Sequence, residues 1–340
     1  MTSLLDPLQL GDVLLRNRIV MAPSARIRPA QGRVPDDILR TYYAQRASAG
    51  LIVTEAASVS PLGIGYPDMP GIWNSAQVQG WRRVTQAVHE RGGRIFLRLW
   101  HAGRVSDPEY LSGEMPVAPS AIPCRGQDPE AEHTEPCPNY VVPRSLHISE
   151  IQRIVADFDQ AARYARQAEF DGVEIHAGDG YLIDQFLHDG SNCRQDEYGG
   201  SLINRSRFLL QIVDTCIGVW GAGRVGVHLS PRGDRHDMQD SNPVALYRHV
   251  GQALGSRRAA FVCIRERPGS DALTPTIRHA FSGALILNEG YDLLSAQQAM
   301  QAREGDAVAF GRAFVCNPDL VERAREGLTL RPCTEALSLA

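Results

Sequence analysis

Long apolar runs are missing from this 340-residue chain. None approaches the roughly 18 residues that a bilayer-spanning helix needs, and the opening MTSLLDPLQLGDVLLRNRIV has no basic region followed by a long apolar core. Membrane contact is therefore not expected, and the cytoplasm is the expected location. Positive charge is not in excess: 35 Lys plus Arg stand against 39 Asp plus Glu, for a net charge of −4. A nucleic-acid partner, whose phosphates call for a net basic face, is not expected. Cysteine is sparse and odd in number, at Cys124, Cys137, Cys193, Cys216, Cys263, Cys316 and Cys333, with no C-x-x-C pair and no Cys/His grouping at zinc spacing. Reduced thiols and no metal site are the expectation. Low-complexity tracts are absent too.

What is present is enough apolar material, 43% of residues, to bury a large core. Short β-branched runs alternate with amphipathic stretches, as expected when each parallel strand is covered by a returning helix. Eight runs read as strands: 18–22, 51–56, 94–99, 172–176, 225–230, 259–265, 284–288 and 307–311. Helix-like segments fall at 75–91, 149–168, 202–219, 243–254, 292–302 and 317–326, with start signals at Ser149 followed by Gln152 and at Asn317 followed by Pro318. This predicts one (β/α)8 barrel spanning 1–340, preceded by an N-terminal hairpin, with its active site at the C-terminal strand ends. The segment from Gly103 to Ile148 carries eight prolines and little periodicity. It reads as a loop or short hairpin lid inserted after the third strand.

The richest stretch is GVEIHAGDGYLIDQFLHDGSNCRQDEYGG, from Gly172 to Gly200. An apolar strand ends at His176, and Asp179 and Tyr181 follow within five residues. Strand ends of a barrel carry chemistry, and a His, an Asp and a Tyr at one cavity can exchange protons.

This stretch, together with NRIVMAP, GYPDMPGIWNSAQVQGWRRVTQAVHERGGRIFL, LWHAGRVS, DEYGGSLINRSRF and DAVAFGRAFVCNPDLVERAREG, closely resembles the old yellow enzymes. These are flavin-dependent barrels that reduce activated alkenes. The resemblance covers nearly the whole chain and implies an FMN site built from Pro23, Ala25, Ala56, Arg98, His228, Glu289, Gly290, Gly311 and Arg312, with Tyr66 and Trp100 lining the substrate pocket. Trp73 is expected in the pocket wall as well. Several residues depart from the family pattern. Asp179 stands where the family has Asn or His. Ala25 replaces a polar Thr or Cys and cannot hydrogen-bond. Arg98 replaces a Gln at the flavin pyrimidine edge, and His228 replaces an Arg that stabilises negative charge on the reduced flavin. Glu289 puts a carboxylate where a small residue sits beside the cofactor phosphate. The glycine- and tyrosine-rich segment that follows the last helix in the family is not seen in RPCTEALSLA.

Three functional expectations follow. The departures together predict a barrel in which FMN binding is lost or weakened and no cofactor is used. His176, Asp179 and Tyr181 would then run isomerase, cyclase or elimination chemistry on a small conjugated carbonyl compound, with Arg98 and His228 stabilising anionic charge. Treated as an exchange of one cation between two strands, Arg98 and His228 instead support an FMN-dependent NAD(P)H ene-reductase. There Tyr181 supplies the proton, and His176 with a protonated Asp179 holds the carbonyl. A non-catalytic ligand-binding barrel is the third. The resemblance admits a homodimer as well as a monomer. Bland roles are expected for Cys193 (a small buried hydrophobe), for Asp196, Glu197 and Tyr198 (fixing a loop), for Arg205 (serving structure), and for the DRHD stretch at 234–237 (a solvated loop).

Overall fold

The computed structural model describes residues 2–24, 31–124, 140–232 and 235–333. Its centre is a closed barrel of eight parallel strands: β3 (Ile19–Met21), β4 (Leu51–Ser58), β5 (Ile95–Trp100), β8 (Gly172–His176), β9 (Val225–Leu229), β10 (Phe261–Arg265), β11 (Ala284–Asn288) and β12 (Ala307–Phe310). Each strand pairs with the next in that order, and β12 closes on β3. All eight expected strands are present, within two residues of their expected ends.

The helices α1 (Asp37–Ala44), α2 (Ser75–His89), α3 (Ile148–Gln167), α4 (Leu182–Leu187), α5 (Leu202–Trp220), α6 (Pro243–Ser256), α7 (Thr274–Ala280), α8 (Leu293–Ala302), α9 (Arg312–Cys316) and α10 (Leu320–Glu326) return the chain between strands. Their starts follow local chemistry. Asn74, Ser201 and Asn242 each accept a backbone N–H of the first turn, and Asp292 with Ser295 forms a capping box. Two expected starts move. The cap of α3 is His147 with Glu150, not Ser149 with Gln152, and the last helix begins after Asp319 rather than at Asn317.

The floor of the barrel is packed by aromatic rings that glycines admit. Phe96 and Phe261 meet at a centroid distance of 5.9 Å. A Cβ on Gly172 would lie 2.4 Å from the Phe96 ring, and one on Gly226 would lie 2.1 Å from Phe261. The N-terminal hairpin of β1 (Leu8–Leu10) and β2 (Val13–Leu15) closes this end. Its Leu10, Val13 and Leu15 join Val20, Val53, Phe96, Phe261 and Ile286 in one buried cluster. Each such side chain contributes about 1.5–3 kcal/mol on burial. With this end plugged among the described residues, the C-terminal mouth is the end of the barrel left for a ligand.

The insertion after β5 differs from expectation in detail. Its two short strands, β6 (Val117–Ala118) and β7 (Arg144–Ser145), pair in parallel, so they do not form a hairpin. Arg104 anchors the segment, donating to the carbonyls of Ile122, Pro123 and His236. Cys316 and Cys333 form a disulfide, against the expectation of reduced thiols. The chain after α10 folds back so that Asn317 exchanges two hydrogen bonds with the Arg331 backbone, and this brings the two cysteines together. Cys193 is exposed rather than buried.

Candidate active site

Parallel pairing aligns the site. Arg98 of β5 lies opposite Glu174 of β8, and His176 at the end of β8 lies opposite His228 of β9. A register shift in β4 between Val53 and Ala56 marks a bulge beside them, and Thr54 Oγ1 within it accepts the Arg98 backbone N–H at 3.2 Å. The buried Arg98 guanidinium donates from Nε to Glu174 Oε2 at 2.6 Å and from Nη2 to His228 Nδ1 at 3.1 Å. Arginine has no acceptor, so His228 Nδ1 accepts and the ring proton sits on Nε2. That nitrogen faces Asp179 Oδ2 at 3.5 Å, as does His176 Nε2. The three atoms are grouped closely enough to suggest a metal site. With its proton on Nε2, His228 turns a donor rather than a metal-binding lone pair toward Asp179.

Asp179 adopts φ +59°, a left-handed conformation that Asp and Asn tolerate better than other non-glycine residues. Its backbone is pinned on both sides: its N–H donates to Ser230 Oγ at 2.6 Å, and its carbonyl accepts from His236 Nδ1 at 2.6 Å. Gly180 follows at φ +78°, where a Cβ would strike the His236 side chain at 2.6 Å. These two residues turn the chain sharply and deliver Tyr181. Its hydroxyl lies 3.2 Å from that of Tyr66, and its ring meets His176 and Trp100 edge-on, each at 5.0 Å. Tyr66 stacks on Trp100, and both belong to an apolar wall with Met69, Ala102, Val105 and Cys124, against which Ala56 packs. Trp73 lies outside that wall.

The charges at the mouth are organised by a residue that the sequence reading did not single out. Arg265, at the end of β10, donates from Nε to Asp179 Oδ1 at 2.8 Å and from Nη1 to Glu289 Oε2 at 3.0 Å. Arg267 adds a contact to Glu289 Oε1 at 3.2 Å. Burial opposes the charge of Asp179, but His228, Arg265 and His176 outweigh it and hold the carboxyl well below the usual range. His176 is pushed well below its ordinary value by burial and by the charge of Arg98, and His228 is lowered for the same two reasons. The site at neutral pH thus holds an ionised Asp179 between two neutral imidazoles. The expectation of a protonated Asp179 that donates to a carbonyl is corrected by this arrangement.

The positions expected to hold FMN lie around the same mouth, with Ala25 outside the described residues. Pro23 follows β3, Ala56 lies on β4 opposite Arg98, Glu289 and Gly290 follow β11, and Gly311 and Arg312 follow β12. Four tests bear on the fit. Arg98 carries its guanidinium across β8 onto His228, so a cation is kept at the floor although the family's Arg is gone. Glu289, expected to repel a phosphate, is neutralised by Arg265 and Arg267. A Cβ on Gly311 would find only Ala22, at 4.0 Å, and Arg312 is exposed with no ion-pair partner among the described residues, which leaves backbone and guanidinium open to a phosphate. Finally, Trp100 Nε1, His176 Nδ1, His228 Nε2 and Glu174 Oε1 are buried without a hydrogen-bond partner among the described residues. Unmet groups of this kind cost about 1–3 kcal/mol each, so the mouth suits a polar ligand. The donor set fits FMN.

Sequence reasoning missed Arg265, Glu174, Ser230 and His236. A charged residue ending an otherwise apolar strand, as in FVCIR, was the available signal for Arg265. His236, expected in a solvated loop, is buried and holds Asp179. Arg205 does serve structure, pairing with Asp240 and donating to the Leu187 carbonyl.

Comparison with known proteins agrees with this geometry. The model of the NADH:flavin oxidoreductase / NADH oxidase family matches residues 3–331. Flavin oxidoreductase hxnT of Emericella nidulans is 38% identical over 359 residues, covering 96% of this chain and 91% of that protein. 12-oxophytodienoate reductase 1 of Oryza sativa subsp. japonica is 39% identical over 332 residues, covering 94% and 85%. Among solved structures, morphinone reductase in complex with tetrahydroNAD is 41% identical with a TM-score of 0.94, covering 99% of this chain and 94% of that one. The old yellow enzyme homologue from Zymomonas mobilis is 42% identical, also at 0.94, covering 100% and 97%. These findings overturn the expectation that no cofactor is used, and with it the flavin-independent isomerase or cyclase reading. Matched by the family model and by these relatives along nearly its full length, the chain belongs to the NADH:flavin oxidoreductase / NADH oxidase family, that of the old yellow enzymes.

Proposed function

We propose that this protein is an FMN-dependent NAD(P)H ene-reductase acting on a small conjugated carbonyl compound. The observation that carries the reading is the meeting of Tyr181, His176 and the Arg98–His228 pair at one barrel mouth whose remaining positions suit FMN. Pro23, Ala56, Arg98 and His228 would hold the ring system, and Gly290, Gly311 and Arg312 the phosphate. When bound, FMN would supply hydride transfer between NAD(P)H and the alkene.

The chain's own residues do the rest. The Tyr181 hydroxyl, held by Tyr66 and the edge of His176, is the proton donor to the carbon opposite the one reduced. His176, neutral and buried, donates a hydrogen bond to the carbonyl oxygen as negative charge develops there. Asp179 does not donate; its carboxylate is held by Arg265 and lies between the two imidazoles. Trp100, Tyr66 and Met69 exclude water from one side. Arg98 supplies a permanent positive charge beneath the site, backed by Glu174.

Tyr181→Phe tests the assignment. It is expected to slow alkene reduction by about 10²–10⁴-fold while reduction of the bound flavin by NAD(P)H keeps its rate. Equal loss in both half-reactions would remove Tyr181 from the proton-donor role.

A further inference from the structure

Asp179 Oδ1 is taken by Arg265, but Oδ2 accepts no hydrogen bond of good geometry among the described residues, since both imidazole nitrogens stand off at 3.5 Å. Resting on the reductase reading, the geometry points to a substrate whose activating group carries its own N–H beside the carbonyl, an α,β-unsaturated lactam rather than a bare ketone. His176 offers a donor and Asp179 an acceptor, side by side and both buried. An ionised carboxylate has acceptors only. Beside a ketone oxygen it would be desolvated against another acceptor, which is costly. Beside a lactam its free oxygen receives the N–H while the neighbouring C=O receives the His176 hydrogen bond. The carboxylate cannot escape by turning away, because Ser230 and His236 pin the Asp179 backbone and Arg265 holds the other oxygen. Nor does it become a donor, with Arg265 stabilising its charged form. A neutral Asn or His, as the family pattern has there, would impose no such demand. Asp179 is therefore the specificity-determining residue of this chain.

The test is calorimetric binding of a six-membered α,β-unsaturated lactam, its N-methyl derivative and the matching cyclic enone to the purified protein, with and without Asp179→Asn. A hydrogen bond to a charged group predicts that the N–H lactam binds the unaltered protein about ten- to a hundredfold more tightly than the N-methyl compound. Asn tolerates the left-handed backbone at this position and brings an N–H donor, so the substitution should shift the enone-to-lactam preference toward the enone by about tenfold or more. Equal binding of the N–H and N-methyl lactams by the unaltered protein would overturn the inference, and this comparison needs no variant. An unchanged preference in Asp179→Asn would overturn it as well. Reduction of bound flavin by NAD(P)H in the absence of any acceptor tests the reductase reading separately: failure there removes that reading, while the binding ratio still decides this one.

Discussion

Arg265 reaches two carboxylates at once, and both belong to positions where this chain departs from its family's pattern. Asp179 and Glu289, which look like independent losses in the sequence, are the two ends of one bridge. Replacing Arg265 by Gln leaves the buried Asp179 carboxylate without its guanidinium, which is expected to cost about 3–5 kcal/mol. Adding Asp179→Asn to Arg265→Gln should recover part of that loss. Urea midpoints of the two variants measure it, and equal stability of the single and double variants would show that the bridge is not coupled. His176 and Tyr181 were legible in the sequence because they follow directly on an apolar strand. The meaning of Asp179 was not, because its partner lies 86 residues away and only barrel closure joins them. Arg98 and His228 were legible as a pair in one reading, the exchange of a cation, and the structure gives that exchange its contact.

At the scale of elements, strands were read well because β-branched runs with sharp ends define them, and α2, α5, α6 and α8 because caps and periodicity agree. The helices α1, α4, α7 and α9 were missed. The last three, with five to seven residues each, owe their form to packing rather than to a repeating apolar face. The parallel pairing of β6 with β7 was equally hidden, since a two-residue strand has no readable period. The barrel floor offers a direct test. Gly226→Ala drives a Cβ into the Phe261 ring, and overpacking of this kind costs about 1–3 kcal/mol. A Gly226→Ala protein as stable as the parent would mean that the two rings do not fix the width of the barrel.

Taken whole, the molecule buries histidines in ways that set its response to acid. His101 is lowered to about 3 by burial, and His176 and His228 are lowered too. For each, the unfolded chain takes up the proton first, so stability is lost as pH falls from 6.5 toward the depressed value. His101 alone accounts for up to about 1.4 kcal/mol per pH unit in that window. Asp179, also lowered, adds loss of the same sign as pH falls below the ordinary carboxylate value. His188 works the other way: raised by Asp184 against the pull of burial, it contributes stability that fades as pH rises above 6.5. All 35 basic residues are arginines, whose charge persists at alkaline pH. The melting temperature is therefore expected to fall steeply below pH 6 and to decline more gently above pH 6.5, where His188 loses its proton; a flat profile down to pH 4 would contradict the buried, neutral state of His101, His176 and His228.

The family and the barrel were legible because the matching motifs run from one end of the chain to the other. Cofactor use was misread because the departures were added up as independent losses, whereas the charges compensate one another in the folded barrel. Anaerobic visible spectroscopy of the purified protein, equilibrated with FMN and desalted, tests this account most directly. The expected result is a retained flavin band that bleaches with NAD(P)H and returns when a conjugated carbonyl compound is added, with the saturated compound as product. A protein that retains no flavin, or whose reduced flavin is not reoxidised by any such compound, would contradict it.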